Sequence, residues 1–172
     1  MYLPPAFTVT DADAIDAMLA RAPLGCLVTD GPEGLFASHL PMLHERAEGL
    51  LAGHLARANP HRGLAGDADA LVVFQGASAY VSPNAYPSKA GNPRTVPTWN
   101  YEAVQVRGRL SWIDDPAWLR ANVAALTDLF EGPQPHPWSL DDAPGDFVER
   151  MLANIVGVQI RITRIAAKRK LS

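Results

Sequence analysis

The sequence predicts a mainly-β fold, a closed or partly closed antiparallel barrel with peripheral α-helices. Three observations carry that expectation. About six short apolar runs are separated by turn residues rather than alternating with helices, as a meander requires. The longest run, Trp99–Ile113, is apolar at Tyr101, Ala103, Val104, Val106, Gly108, Leu110 and Trp112, mostly in alternation. Only three stretches have helical spacing, and they do not interleave with the strands as βαβ units would.

Each element has a local reason. Thr10 is placed to cap a first helix, with Asp13 three residues on. Ile15, Met18, Leu19 and Ala22 then form one apolar stripe, which Pro23 ends. Leu24–Thr29, Leu35–Leu43 and Leu50–His54 read as strands. The turn segment Asp30-Gly31-Pro32-Glu33-Gly34 lies between the first two, and a polar stretch ending in Gly49 between the second and third. Asn59-Pro60 reads as the start of a short helix. Ala70–Gln75 is a buried run that Ala79–Ser82 continues beyond Gly76. Asp115-Pro116 opens a second amphipathic helix through about Phe130, and a third lies near Asp146–Ala153. The alternating run from Ile155 to Ile165 closes the sheet.

Composition narrows the functional classes. A chain of 172 residues, 48% hydrophobic and 19% charged, fits one domain, residues 1–172, with a core of its own. The single cysteine, Cys26, leaves no internal disulfide and no Cys-rich zinc site. His39, His44, His54, His61 and His136 show no metal-ligand spacing. No run is long enough to span a membrane and MYLPPAF is not a signal peptide, so a cytoplasmic location is expected. The net charge of −3 is unevenly spread. The first 149 residues carry −9, and from Arg150 onward six Lys/Arg and no acid give +6. Any nucleic-acid contact is therefore expected to be local to that basic end.

Three clusters are candidates for ligand binding. Residues 83–97, with four prolines, form a long connection holding Lys89 and Arg94. Tyr80, Ser82, Trp99, Asn100 and Tyr101 flank it. Cations beside aromatics suit a flat anion, although a loop of solvated charges reads equally well. The run Gly53–His61 places His54, Arg57 and Asn59 where a strand gives way to a helix start, a cradle for a phosphate or simply a capped helix. Ser38, His39 and Leu40 lie within a strand, where the backbone could meet a heterocycle edge. A satisfied core histidine is the plainer account of His39.

In their order along the chain, MYLPPAF, ASHLP, GHLARANPH, VSPNAYPSK, VPTWNYEAVQVRG and the final IVGVQIRITRIAAKRKLS make the sequence resemble PaiB-type FMN-binding negative transcriptional regulators. The resemblance spans nearly the whole chain. It implies the FMN-binding split barrel of pyridoxamine-phosphate-oxidase-like flavoproteins, a homodimer with FMN at the subunit interface. On that analogy the strand Ser38–Leu40 lines the isoalloxazine through its backbone. His54, Arg57 and Asn59 meet the phosphate, and Lys89, Trp99 and Asn100 come from the long loop and its flank. Arg62 and Ala85 stand where the family has Trp, and Gln105 where it often has His. Family members continue past KLS with a segment that these 172 residues do not contain. The functions implied are a DNA-binding repressor, an FMN-dependent oxidoreductase of a small molecule with no catalytic acid or base assigned, and, ranked last, a haem-handling protein.

Overall fold

A computed structural model describes residues 1–64, 68–86 and 94–171. Its strands are β1 (Thr8–Val9), β2 (Leu24–Gly31), β3 (Gly34–Glu45), β4 (Leu50–Ala56), β5 (Asp69–Val81), β6 (Thr98–Ile113) and β7 (Ile155–Lys170). The helices are α1 (Ala12–Arg21), α2 (His61–Leu64), α3 (Pro116–Glu131) and α4 (Gly145–Leu152). All strand pairings are antiparallel, in the order β1-β7-β4-β3-β2-β5-β6, and β6 pairs back to β7. That last ladder closes β2–β7 into a barrel and leaves β1 outside, on β7.

The barrel interior follows from alternation along each strand. Leu27, Leu40, Leu51, Val72, Phe74, Val106, Leu110, Val158 and Ile160 are all fully buried. α1 adds Met18 and Leu19 to the same core. Its cap is Asp11, whose carboxylate accepts from the Ala14 N–H, one residue later than the expected Thr10. Asp115 caps α3 as expected, and Leu119, Asn122 and Leu126 face inward from that helix. α4 packs on α3 through Val148 and Leu152. Among the described residues no helix is long and apolar enough to cross a membrane.

The barrel wall is split at one place. β4 is registered against β3 only over Met42–Glu45, whereas β2 accompanies β3 along Gly34–Pro41. Met42 donates its N–H to the Pro23 carbonyl, on the β2 side. A Cβ on Gly53 of β4 would meet the Pro41 carbonyl oxygen at 2.7 Å. Even-numbered residues of β3 thus direct their backbone groups at β2, and odd-numbered ones at the β4 side. At Ala37 and His39 that side is beyond the β4 ladder.

β7 runs five residues past the expected Ile165. The basic end is therefore largely sheet rather than tail: Lys168 is buried, with Nζ donating to the Tyr2 carbonyl (3.2 Å) and lying over the Tyr2 and Tyr101 rings.

Candidate functional site

The split is bounded by a buried polar network. The His61 ring is fully buried, with Nδ1 3.0 Å from Ser38 Oγ and Nε2 2.8 Å from Thr29 Oγ1. Asn59 Nδ2 donates to the same Ser38 hydroxyl (3.2 Å), and Asn59 Oδ1 accepts from the His61 N–H (2.9 Å). Phe36 and Trp112 stand edge-on to the imidazole, with centroids 5.0 and 6.0 Å away. Burial disfavours the imidazolium and lowers the His61 pKa below its ordinary value. A neutral ring between two hydroxyls satisfies every member, since each hydroxyl both donates and accepts. The network joins the chain after β4 to β2 and β3 across the split.

Of the residues expected to bind a ligand, Ser38 and Asn59 are brought together, with both side chains committed to each other and to His61. The Ser38 backbone faces β2, opposite Leu27, so the backbone groups on the open side are those of its neighbours Ala37 and His39. Leu40 points into the core. His39, on the outer face, is exposed. It helps line a groove of about 910 Å³ with Leu24, Cys26, Val73, Gln75 and Glu102. Partial burial pushes the Glu102 carboxyl up, but hydrogen bonds from Arg169 and Arg21 outweigh this and hold it below its ordinary range.

His54 belongs to a different environment. Its Nδ1 lies 3.2 Å from Asn122 Oδ1 on α3, and it borders a small cavity with Trp138, Leu140 and Phe147. Arg57 is also spoken for. Its Nε donates to the Ala153 carbonyl (3.0 Å) and Nη2 to the Ile155 carbonyl (2.7 Å), while Nη1 pairs with Asp114 at 2.7 Å. The second oxygen of Asp114 pairs with Arg62. The hydrogen bond from Arg57, aided by the charge of Arg62, holds the Asp114 carboxyl below its usual range. The expected helix start after Asn59 is a single turn, too short to develop much dipole. Trp99 is exposed and packs edge-on to Tyr80 at 6.4 Å, with Asn100 beside it on β6. Lys89 lies outside the described residues.

Sequence reasoning did not select Thr29, His61, Arg62 or Asp114 as site residues. Thr29 ends an apolar run, and its inward direction follows from β2 alternation. Of the Asp114-Asp115 pair, only the capping member carries a sequence signal.

Comparisons with known proteins identify the fold and the family. The family model described as "Putative FMN-binding domain" matches residues 1–164. Protease synthase and sporulation protein PAI 2 of Bacillus subtilis is 32% identical over all of this chain and 82% of its own length. Among solved structures, the flavocytochrome Anf3 of Azotobacter vinelandii superposes with a TM-score of 0.71. It is 14% identical, over 99% of this chain and 73% of that one. The FAD and heme binding protein of Mycobacterium smegmatis gives a TM-score of 0.67 at 19% identity, over 96% and 74% of the two chains. At such identities these two structures establish the split-barrel fold alone. The family match and the PAI 2 relationship establish more: the chain belongs to the PaiB-type FMN-binding domain family, whose cofactor is FMN.

Proposed function

We propose that the protein is a dimeric FMN-bearing negative regulator of transcription, with the flavin held between two copies along the unpaired edge of β3. The observation that carries this reading is the one-sided pairing of β3 beneath an apolar outer face. Across β3, β2 and β5 that face has the rows His39–Cys26–Val73 and Ala37–Val28–Leu71, with Leu24 and Leu35 exposed at its margins. An antiparallel sheet normally turns polar residues outward. A second copy on this face would bury the apolar rows and wall in the groove. The unpaired N–H and C=O groups expected at Ala37 and His39 complement the donor and acceptor edge of an isoalloxazine. FMN, when bound, supplies a reversible electron acceptor. The protein's own groups orient and enclose it: the β3 backbone holds the ring edge and His39 walls the groove. Trp99 and Asn100 approach from the start of β6.

Asn59 acts by holding the split together, and His54 by supporting α3. Arg57 reaches an anion only by sharing it with Asp114 and Arg62. The three groups sum to one positive charge, and Asp114 competes with a phosphate for both guanidiniums. Asp114→Asn is therefore expected to tighten FMN binding several-fold in a fluorescence titration. Unchanged affinity would move the phosphate away from Arg57.

The dimer is tested by Val73→Glu. A charge at the β5 end of the row His39–Cys26–Val73 is expected to convert a two-chain sedimentation mass to one chain and to cost at least about tenfold in FMN affinity. A monomeric wild type, or a dimeric variant that still takes up FMN normally, contradicts the arrangement.

A second reading, an FMN-dependent oxidoreductase, is favoured by the size of the groove beside His39, which leaves room for a small molecule next to the ring. Bleaching of the flavin by a nicotinamide donor, with reoxidation by an added acceptor, would select it. A flavin that no donor reduces would leave the regulator.

A further inference from the structure

The register of β6 against β7 sets arginine against arginine. Arg107 is directly opposite Arg164, and Arg109 directly opposite Arg161, on either side of the irregularity at Arg107/Gly108. All four residues are exposed. Among the described residues, Arg107, Arg161 and Arg164 form no ion pair, and Arg109 pairs with Asp69 at 3.0 Å. Like charges directly opposite on a sheet oppose folding. The cluster concentrates positive charge on a chain whose net charge is −3.

We infer that this β6–β7 face is a docking surface for the phosphate backbone of double-stranded DNA. Along the two strands the outward neighbours are polar, Gln105 and Ser111 on β6 and Gln159 and Thr163 on β7, while the half-buried Leu71 and Leu50 border Arg107 and Arg161 on the adjoining strands. Gly108, between Arg107 and Arg109, is buried and adds no bulk to the surface. Among the described residues, no aromatic flanks the four arginines on β6 and β7, since Tyr101 and the exposed Trp99 lie toward the start of β6, and the patch holds no large apolar anchor of its own for a protein or membrane. A positive, polar surface without either is the kind that follows a duplex backbone. Guanidiniums suit phosphate geometry. The row Ala37–Val28–Leu71 ends on Arg107 and then Arg164, so the surface abuts the proposed dimer face and a dimer carries it twice. The inference rests on the regulatory reading above, for which it supplies the missing contact surface.

The test is retention of sonicated duplex DNA by the full chain over a salt series, with flavin absorbance and thermal midpoint measured on the same samples. Arg107→Gln with Arg164→Gln is expected to weaken retention at least about tenfold and to reduce the salt slope by about two per copy. FMN content should be unchanged, and the thermal midpoint should not fall, because a repulsive pair has been removed. Arg120→Gln with Arg150→Gln, on α3 and α4, should leave retention unaltered. Wild-type retention that both pairs of substitutions leave intact would overturn the surface while sparing the regulator. No wild-type retention would overturn both. Equal retention on single-stranded DNA or anionic vesicles would also overturn the assignment to duplex.

Discussion

Gly108→Ala is expected to be among the most destabilising single substitutions in this barrel. The added Cβ would overlap the Arg161 carbonyl oxygen and approach Ile160 Cγ2 to 2.6 Å. The first of these neighbours is backbone of the facing strand, so no rotamer change relieves the clash. β6 would have to move away from β7 where their register already shifts. Overpacking against an immovable neighbour costs about 2–4 kcal/mol. In a domain of this size that lowers the thermal midpoint by roughly 5–15 °C. Gly145→Ala, with nothing within 4 Å, is the control and should change the midpoint little. Equal midpoints for the two variants would mean that the β6–β7 approach is looser than described.

His61→Ala is expected to cost about 3–5 kcal/mol, because it opens a cavity where a ring is fully buried and strips Ser38, Thr29 and Asn59 of partners. His61→Phe fills the cavity with a somewhat larger ring and loses the hydrogen bonds, so it should fall between wild type and alanine. The same residue sets a pH dependence. Its pKa is lower folded than unfolded, so the unfolded chain binds a proton that the folded one refuses. The stability due to the neutral ring is complete above the ordinary histidine value of about 6.5. It declines as the pH falls from there toward the depressed folded value. Denaturant midpoints at successive pH values should show a steeper acid-side loss in wild type than in His61→Phe. Parallel slopes would assign that loss to other groups.

The elements were visible in the sequence because each has a local cause. Alternation marked β6, Pro23 ended α1, and Asp115-Pro116 opened α3. The two runs Ala70–Gln75 and Ala79–Ser82 merge into β5 across an irregularity between Gln75 and Ser78, since a bulge interrupts the pattern but not the pairing. β1 escaped notice because two residues carry no period. The site was less visible for a physical reason. Its parts come from residues that mean nothing alone and acquire roles from register. Thr29, Ser38, Asn59 and His61 converge only once β2, β3 and the chain after β4 meet. Arg57 looked available because its partners, Asp114 and the carbonyls of Ala153 and Ile155, are more than fifty residues away. Ser38–Leu40 reads as strand in the sequence and lies in β3, but that Ser38 and Leu40 turn inward while His39 turns outward follows only from the register of β3.

The one-sided pairing of β3 also bears on how well this protein keeps in solution. A stretch of strand with one side open is a template on which another chain can extend the sheet, the hazard that edge strands bring to any β protein. Here it lies in the wall of a closed barrel, from Gly34 to Pro41, beside a face rich in apolar side chains. Pro41, which has no N–H to offer a neighbouring strand, stands at the end where β4 departs and limits how far a foreign strand could zip along it. In the proposed dimer, a flavin and a second copy covering the remaining residues would also take an aggregation template out of circulation, which would make cofactor supply part of quality control for the fold.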